Sequence, residues 1–320
     1  MAATRLSDLI VPEVFNRYVV ERTAELSAFW QSGVVMDVPD ITPGSRGGAT
    51  VQMPFFKDLD GDDELLDEDD TIAVNNIQSG QDVSVVHARA KAWGATDLSA
   101  AFTGEDPMAA IGNLVADYWQ RRYQTALIQS LNGAAAVVTD NVHDISGLSG
   151  GAAIIDGASF IDATQKMGDA KTRITAVAMH SATEAWLAKN DLIDFIEESQ
   201  QAPQVPFFQG KRVIVDDGMP VASPGIYTTY LFGAGAVGWA PGTTPVPTET
   251  HREPAAGGGQ DQLFTRRHFV LHPRGVKWDP ASGVPAKQTP SNTELADEGN
   301  WTRVYESKNI RIVKFVHLLG

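Results

Sequence analysis

From Asp106 to Ala136, apolar residues recur at three- and four-residue steps. Met108, Ile111, Leu114, Val115, Tyr118, Trp119, Ala126, Leu127 and Leu131 share one side, while Asp117, Gln120, Arg121, Gln124 and Gln129 fall mostly on the other. This spacing predicts one long amphipathic helix. Asp106 offers an oxygen to the first free N–H groups, and Pro107 stands where a missing N–H costs nothing. Asn132-Gly133 supplies a left-handed stop, which sets the expected helix at 106–133, with the alanines beyond able to carry it on. At ~1.5 Å per residue this is a rod of roughly 40 Å, a spine for flatter parts.

Upstream, Val14, Phe15, Tyr18, Val19, Leu26, Phe29 and Trp30 place an amphipathic helix over 11–31, behind Pro12. The glycines and prolines of 33–48 read as an extended linker. A helix on such a tether docks either on its own core or on another chain. From Ala49 to Trp93 the period changes to two. Val51, Met53 and Phe55 form one alternating strand; Val83, Val85, His87, Arg89, Lys91 and Trp93 form a second. Together they predict a hairpin, with Pro54 confining the first strand to an edge. Its connection, KDLDGDDELLDEDD, packs Asp62, Asp63 and Glu64 among other carboxylates, so the tip must meet water, cations or a basic partner. A hairpin with so few core residues needs support from elsewhere.

After the spine, 137–234 reads as a small mixed α+β block. Its expected parts are a helix within 154–174, a strand at 173–179, a capping box at Ser181–Glu184, a helix opened by Asp191, and strands at 210–216 and 227–232. Residues 241–259 read as a structureless loop, followed by strands at 263–271 and 275–278, a loop at 281–290 and a short helix at 293–298. The alternating run at 310–318 closes the chain as a sheet strand.

Charge narrows the function. The 320 residues carry a net charge of −15, which disfavours gripping phosphate backbones or anionic membranes. There is no cysteine, so disulfides, thiolate zinc sites and cysteine nucleophiles are absent. No apolar run approaches the roughly 18 residues of a membrane helix.

Several chemical motifs are present in form only. Gly233-Ala234-Gly235-Ala236-Val237-Gly238 matches a dinucleotide fingerprint, but Trp239-Ala240-Pro241-Gly242 follows where a helix is required. Gly147-Leu148-Ser149-Gly150-Gly151 has the nucleophile-elbow spacing without a clear strand before it or a strong helix start after it. His268 and His272 lie on a strand pattern, ~13 Å apart at ~3.3 Å per residue, too far to share one metal. Asp58, Asp60 and Asp62 begin like a calcium loop that lacks its glycine and closing glutamate. Asp216-Asp217-Gly218 reads as a turn. No convergent catalytic set emerges, and no cofactor is implied.

Five stretches in order, MHSATEAWLAKNDLIDFIEES, FFQGKRVIVDDGMP, YTTYLFGAGAVGW, ETHREP and LFTRRHFVLHPRGVKWD, resemble the major capsid proteins of tailed bacteriophages, the Hong Kong 97-type fold. The resemblance covers most of the chain from Asp106 onward; the N-terminal third is similar in layout more than in motif. It implies an α+β phage capsid fold with an N-terminal arm (1–48) and an extended E-loop hairpin with an acidic tip (49–96). A peripheral domain (97–136 and 235–285) would carry the spine helix, and a mixed α/β axial domain (137–234 and 286–320) would complete it. Hexamers and pentamers would form an icosahedral head shell around double-stranded DNA, held only weakly and non-specifically. The chain begins almost directly at the arm, so the resemblance also implies a separate scaffolding protein. A portal, and a decoration protein outside, are the other expected partners. The resemblance places the chain in the virion, assembled in the host cytoplasm, with no membrane partner. No lysine–asparagine pair is marked for cross-linking.

The assembly contacts expected from these residues are Phe15, Tyr18, Phe29 and Trp30 on the arm and Asp62, Asp63 and Glu64 at the tip. The basic rows His87, Arg89, Lys91 and Arg266, Arg267 are expected to meet carboxylates of other copies. The alternatives, resting on the glycine motifs and the acidic loop, are a soluble oligomeric hydrolase and a cation-binding module.

Overall fold

The spine helix spans Pro107–Val137 and runs 31 residues, four beyond the expected stop. Asp106 caps it by accepting a hydrogen bond from Met108 N at 2.9 Å. Gly133 does not end it. The bare Cα lets Leu295 and Trp301 cross directly over the helix: a Cβ there would lie 2.7 Å from Trp301 Nε1, and closer still to the Leu295 carbonyl oxygen. Asn132-Gly133 is a packing site, not a cap.

The computed structural model describes residues 28–43, 48–59, 61–63, 65, 74–103, 106–196, 205–223, 225–256 and 258–320. Phe15, Tyr18, Glu64 and most of the predicted arm helix lie outside the described residues.

Two sheets flank the C-terminal half of the spine. The six-stranded sheet runs in the order Val35–Asp37, Val237–Gly242, Gln260–Pro273, Ser79–Thr96 and Thr50–Phe56, with Thr248–Glu253 also beside Gln260–Pro273. Thr50–Phe56 is the edge strand, as Pro54 requires. The inner hairpin strand is 18 residues long, and its second half is central: Val86 to Thr96 pair antiparallel with Val270 to Gln260. The support that the hairpin needs therefore comes from Gln260–Pro273. Residues 241–259 are not structureless. Thr248–Glu253 pairs with Gln260–Thr265, a strand that its polar, mostly exposed sequence gave no hydrophobic period to reveal.

The eight-stranded sheet has the order Val142–Asp144, Ile312–Leu318, Ile226–Gly233, Ile174–Met179, Lys211–Val215, Val205–Phe208 and Ile193–Ile196, with Val221–Ser223 beside Ile226–Gly233. Its middle strands are buried on both faces and read as continuous apolar runs. Tyr230 and Phe232 join the core around Leu127, Leu131 and Ala134 of the spine, while Leu231 faces the opposite core with Phe160, Val177, Phe208 and Phe315. Two expectations fail here. The helix assigned to Asp191–Ile196 is a strand, Ile193–Ile196, entered through Asp191 at φ 53° and paired with Val205–Phe208. The helix after Met179 is capped by His180, whose Nδ1 accepts from Ala182 N at 3.0 Å, so Ser181 does not open a capping box.

Trp301–Arg303 pairs with Val276–Trp278, and the short helix Asn292–Ala296, capped by Ser291, packs on the spine.

Candidate assembly interface

The basic row of the hairpin divides into three environments. His87 is fully enclosed and stacked on Phe269, with ring centroids 4.8 Å apart. Burial pushes its pKa down to about 3, helped by the Arg89 charge. It is a neutral core residue, which corrects its assignment as a cationic contact with other copies. Arg89 is half-buried, and its Nη2 donates to Pro290 O at 2.6 Å and to Asn292 Oδ1 at 3.2 Å. It fastens the inner hairpin strand to the loop before Asn292–Ala296. Lys91 is exposed.

On the facing strand, Arg266 pairs with Glu249 at 3.0 Å. Arg267 lies over the Trp119 ring, 5.9 Å from its centroid, and the Trp119 indole donates to Thr265 Oγ1 at 3.1 Å. Both arginines thus have partners within this chain, where the sequence pattern placed them toward other copies.

The end of the arm also packs on its own chain. Phe29 is fully buried, edge-on to Phe232, and Trp30 meets Trp239 at 5.6 Å, again edge-on. For these two side chains the docking site is the chain's own core. Phe29 is therefore not a surface for a second copy.

Asp62 and Asp63 are exposed at the far end of the hairpin. Around them stands a set that period-two reasoning passed over: Phe56, Leu59, Leu65, Val74 and Ile77, between 57% and 92% exposed. Isolated leucines among the carboxylates of the tip were the available signal. Phe56 and Leu59 border an open cavity beside Val304, Tyr305 and Arg311 of the body. Large apolar side chains left this exposed mark a surface that a partner covers.

The motifs declined on sequence grounds take structural roles. Gly233 to Gly238 form the turn between Ile226–Gly233 and Val237–Gly242. A Cβ at Gly233 would lie 2.7 Å from Arg173 O, and Gly235 needs its φ of +65°. Gly150–Ala153 is a single 3-10 turn. Asp216 closes the Asp216-Asp217-Gly218 turn by accepting from Gly218 N at 2.7 Å, and also accepts from Gln124 of the spine. Among the described residues no group of three or more His, Asp or Glu side chains is placed to hold a metal ion, and no helix is long and apolar enough to cross a membrane.

The model of the Gp13-like family, described as major capsid protein 13-like, matches residues 40–310. The chain is also 46% identical to the major capsid protein of Bacillus phage SPP1, over its full length and 99% of that protein. The chain belongs to this major capsid protein family. Solved structures share its fold at far lower identity. The capsid of the Helicobacter pylori bacteriophage KHP30 matches with a TM-score of 0.60 at 10% identity, covering 97% of this chain and 96% of that one. The capsid asymmetric unit of cyanophage Pam1 matches with a TM-score of 0.58 at 12% identity, covering 97% and 98%. The fold is thus the Hong Kong 97 type. The capsid protein is a structural component of the virion and assembles with copies of itself into the shell; its family is one of shell proteins, not of hydrolases or cation-binding modules.

Proposed function

We propose that copies of this capsid protein form hexamers and pentamers that close into an icosahedral head around double-stranded DNA. The hairpin 49–96 reaches over a neighbouring copy, and the arm 1–48 straps adjacent copies through Phe15 and Tyr18. The observation that carries this reading is the apolar set Phe56, Leu59, Leu65, Val74 and Ile77, exposed on a hairpin whose strand pairing with the body ends at Val86. Asp62, Asp63 and Glu64 then meet cationic side chains of the neighbour, with Lys91 as the basic-row residue still free to answer them. Surface pairs of this kind contribute ~0–1 kcal/mol each and set register only by repetition. The division into a peripheral part (97–136 and 235–285) and an axial part (137–234 and 286–320) is kept, with one refinement. Residues 292–303 pack on the spine and go with the peripheral part.

A scaffolding protein directs closure in the host cytoplasm, a portal occupies one vertex, and a decoration protein binds outside. The net charge of −15 keeps the inner wall from adhering to packaged DNA. Negative-stain electron microscopy of the expressed protein, with and without the neighbouring scaffold gene, tests the reading. Closed particles are the expected product. Combined Phe56→Ser, Leu59→Ser and Ile77→Ser substitutions should abolish them while leaving the thermal melt of the free chain in place. Unchanged particle yield from that variant refutes the role given to the hairpin.

A further inference from the structure

The two longest strands among the described residues part company at one point. Ser79–Thr96 and Gln260–Pro273 are paired as far as Val86 and Val270. Beyond it the hairpin strand continues with Thr50–Phe56 as its paired neighbour and Val276–Trp278 packed against it, and the other strand stays in the body against Val237–Gly242. Inside this fork, Asp82 and His272 face each other. His272 Nε2 lies 2.9 Å from Asp82 Oδ1, and the two side chains are 2% and 4% exposed. The approach is close but off the line of a hydrogen bond, and His272 Nδ1 has no partner either. The other Asp82 oxygen accepts from Gly275 N at 3.4 Å.

A second contact lies nearby: Phe55, on the outer hairpin strand, meets Tyr305 of the body edge-on at 4.7 Å. Between them is a cavity of about 370 Å³, lined by Ile41, Gln52, Met53, Asp82, His272 and Tyr305. The charged groups Asp40 and Arg274 also border it. The hairpin base also packs apolar side chains on the body: Val85 joins the spine core with Val276 and Trp278, and Val51, Met53 and Val86 pack with Ile41 and Val270. The polar pair and the aromatic contact border a cavity beside this packing.

We infer that Asp82 and His272 are positioning residues: their buried contact in the strand fork sets the direction in which the hairpin leaves the body. The inference rests on the reading that the hairpin spans to a neighbouring copy, because direction matters only there. A buried polar pair is a poor source of stability, and here its directional contact is the part of the fork that selects one arrangement. An apolar pair of similar volume would hold the fork closed as well, but without a directional contact.

The absence of cysteine makes a direct measurement simple. Spin labels on Asn76→Cys, exposed in the hairpin, and Lys189→Cys, in the body, report the hairpin's direction in the unassembled full chain by pulsed electron paramagnetic resonance. The parent should give one narrow distance distribution. Asp82→Leu combined with His272→Met should melt at or above the parent temperature yet give a distribution at least twice as wide, and a tenfold lower yield of closed shells. Asp82→Asn, which keeps the shape, should broaden it less. A distribution as narrow and as centred as the parent's in the double variant overturns the inference, whatever happens to assembly. A broadened distribution with normal shells supports the joint and overturns instead the reading that the hairpin bridges copies. If the double variant fails to fold, Asp82→Asn carries the same comparison, and an unchanged distribution there is equally fatal.

Discussion

Two glycines of the spine helix make opposite demands on the same substitution. At Gly112 a Cβ meets nothing within 4 Å, and the position is exposed. Gly112→Ala should therefore stabilise the unassembled chain by about 1 kcal/mol, the helix-propensity difference. At Gly133 the same gain is available but outweighed. The new methyl would lie 2.7 Å from Trp301 Nε1 and 2.9 Å from Trp301 Cδ1, and nearer than either to the Leu295 carbonyl. Ordinary carbon contacts begin near ~3.5 Å, so the segment carrying Leu295 and Trp301 must retreat by about 1 Å. That segment is locked to itself by the Trp301 Nε1 to Leu295 O hydrogen bond at 2.9 Å, and Leu295 is fully buried against the spine. Overpacking costs roughly 1–3 kcal/mol, and a strained buried hydrogen bond adds ~1 kcal/mol. Against a gain of about 1 kcal/mol, Gly133→Ala should lose roughly 1–3 kcal/mol net. Urea unfolding followed by tryptophan fluorescence would then move the midpoint up for Gly112→Ala and down for Gly133→Ala. If both variants shift upward together, Gly133 is not a crossing point and the account of the helix's continuation past Asn132 is wrong.

The two buried histidines give the free chain an acid limit. Burial lowers His87 to about 3 and His317 to about 4, so each folds as the neutral ring. Their stabilisation is complete above the unfolded value near 6.5 and is lost as pH falls toward the folded values, by roughly 3 kcal/mol for His317 by pH 4. His317→Gln, measured by urea midpoint between pH 4 and 7, should flatten this slope, and an unaltered slope would remove His317 as its source. Charge reversal separates Arg89 from Lys91. Arg89→Glu should lower the melt of the free chain because Pro290 O and Asn292 lose their donor, whereas Lys91→Glu should leave the melt unchanged and lower particle yield. Equal effects of the two on yield at constant melt would contradict the division drawn between them. Asp106→Ala removes the spine's cap and should cost about 1 kcal/mol in the same unfolding assay.

The parts of the fold that announced themselves were those whose burial follows one clean period. The spine did so because a single face meets both sheets, and Thr50–Phe56 did so because one face is wet. Thr248–Glu253 stayed hidden because an edge strand exposed on both faces carries no apolar rhythm; only its pairing with Gln260–Thr265 makes it a strand. Ile193–Ile196 was misread because four residues cannot separate period 2 from period 3.6, and Asp191, read as a helix start, instead makes a left-handed turn, a conformation aspartate tolerates better than most side chains. The basic row misled for a different reason. Alternation says which side chains share a face, not whether that face is covered. His87, Arg89 and Lys91 do share one, but the chain that folds back over it, Thr289 to Asn292, lies some 200 residues away, and no local signal reports its arrival. The exposed apolar set at the hairpin tip was obscured by the carboxylates around it.

The core itself argues that shape change in this protein concentrates at the hairpin. Leu127, Leu131 and Ala134 of the spine are packed from one side by Tyr230 and Phe232 of the eight-stranded sheet, and the same core takes in Phe269 and Leu271 of the six-stranded one. Gln124 adds a buried hydrogen bond to Asp216 across the same boundary. Sliding either sheet along the spine would open this shared core and break close packing at many contacts together. Turning the hairpin at the Val86–Val270 fork disturbs a smaller set: the Asp82–His272 pair, the Phe55–Tyr305 contact and the packing of Val85, Val51 and Met53 beside the cavity. A protein that, on the proposed reading, fits slightly different neighbours around five-fold and six-fold rings needs such a place. The strand fork supplies it without loosening the body on which the shell's rigidity depends.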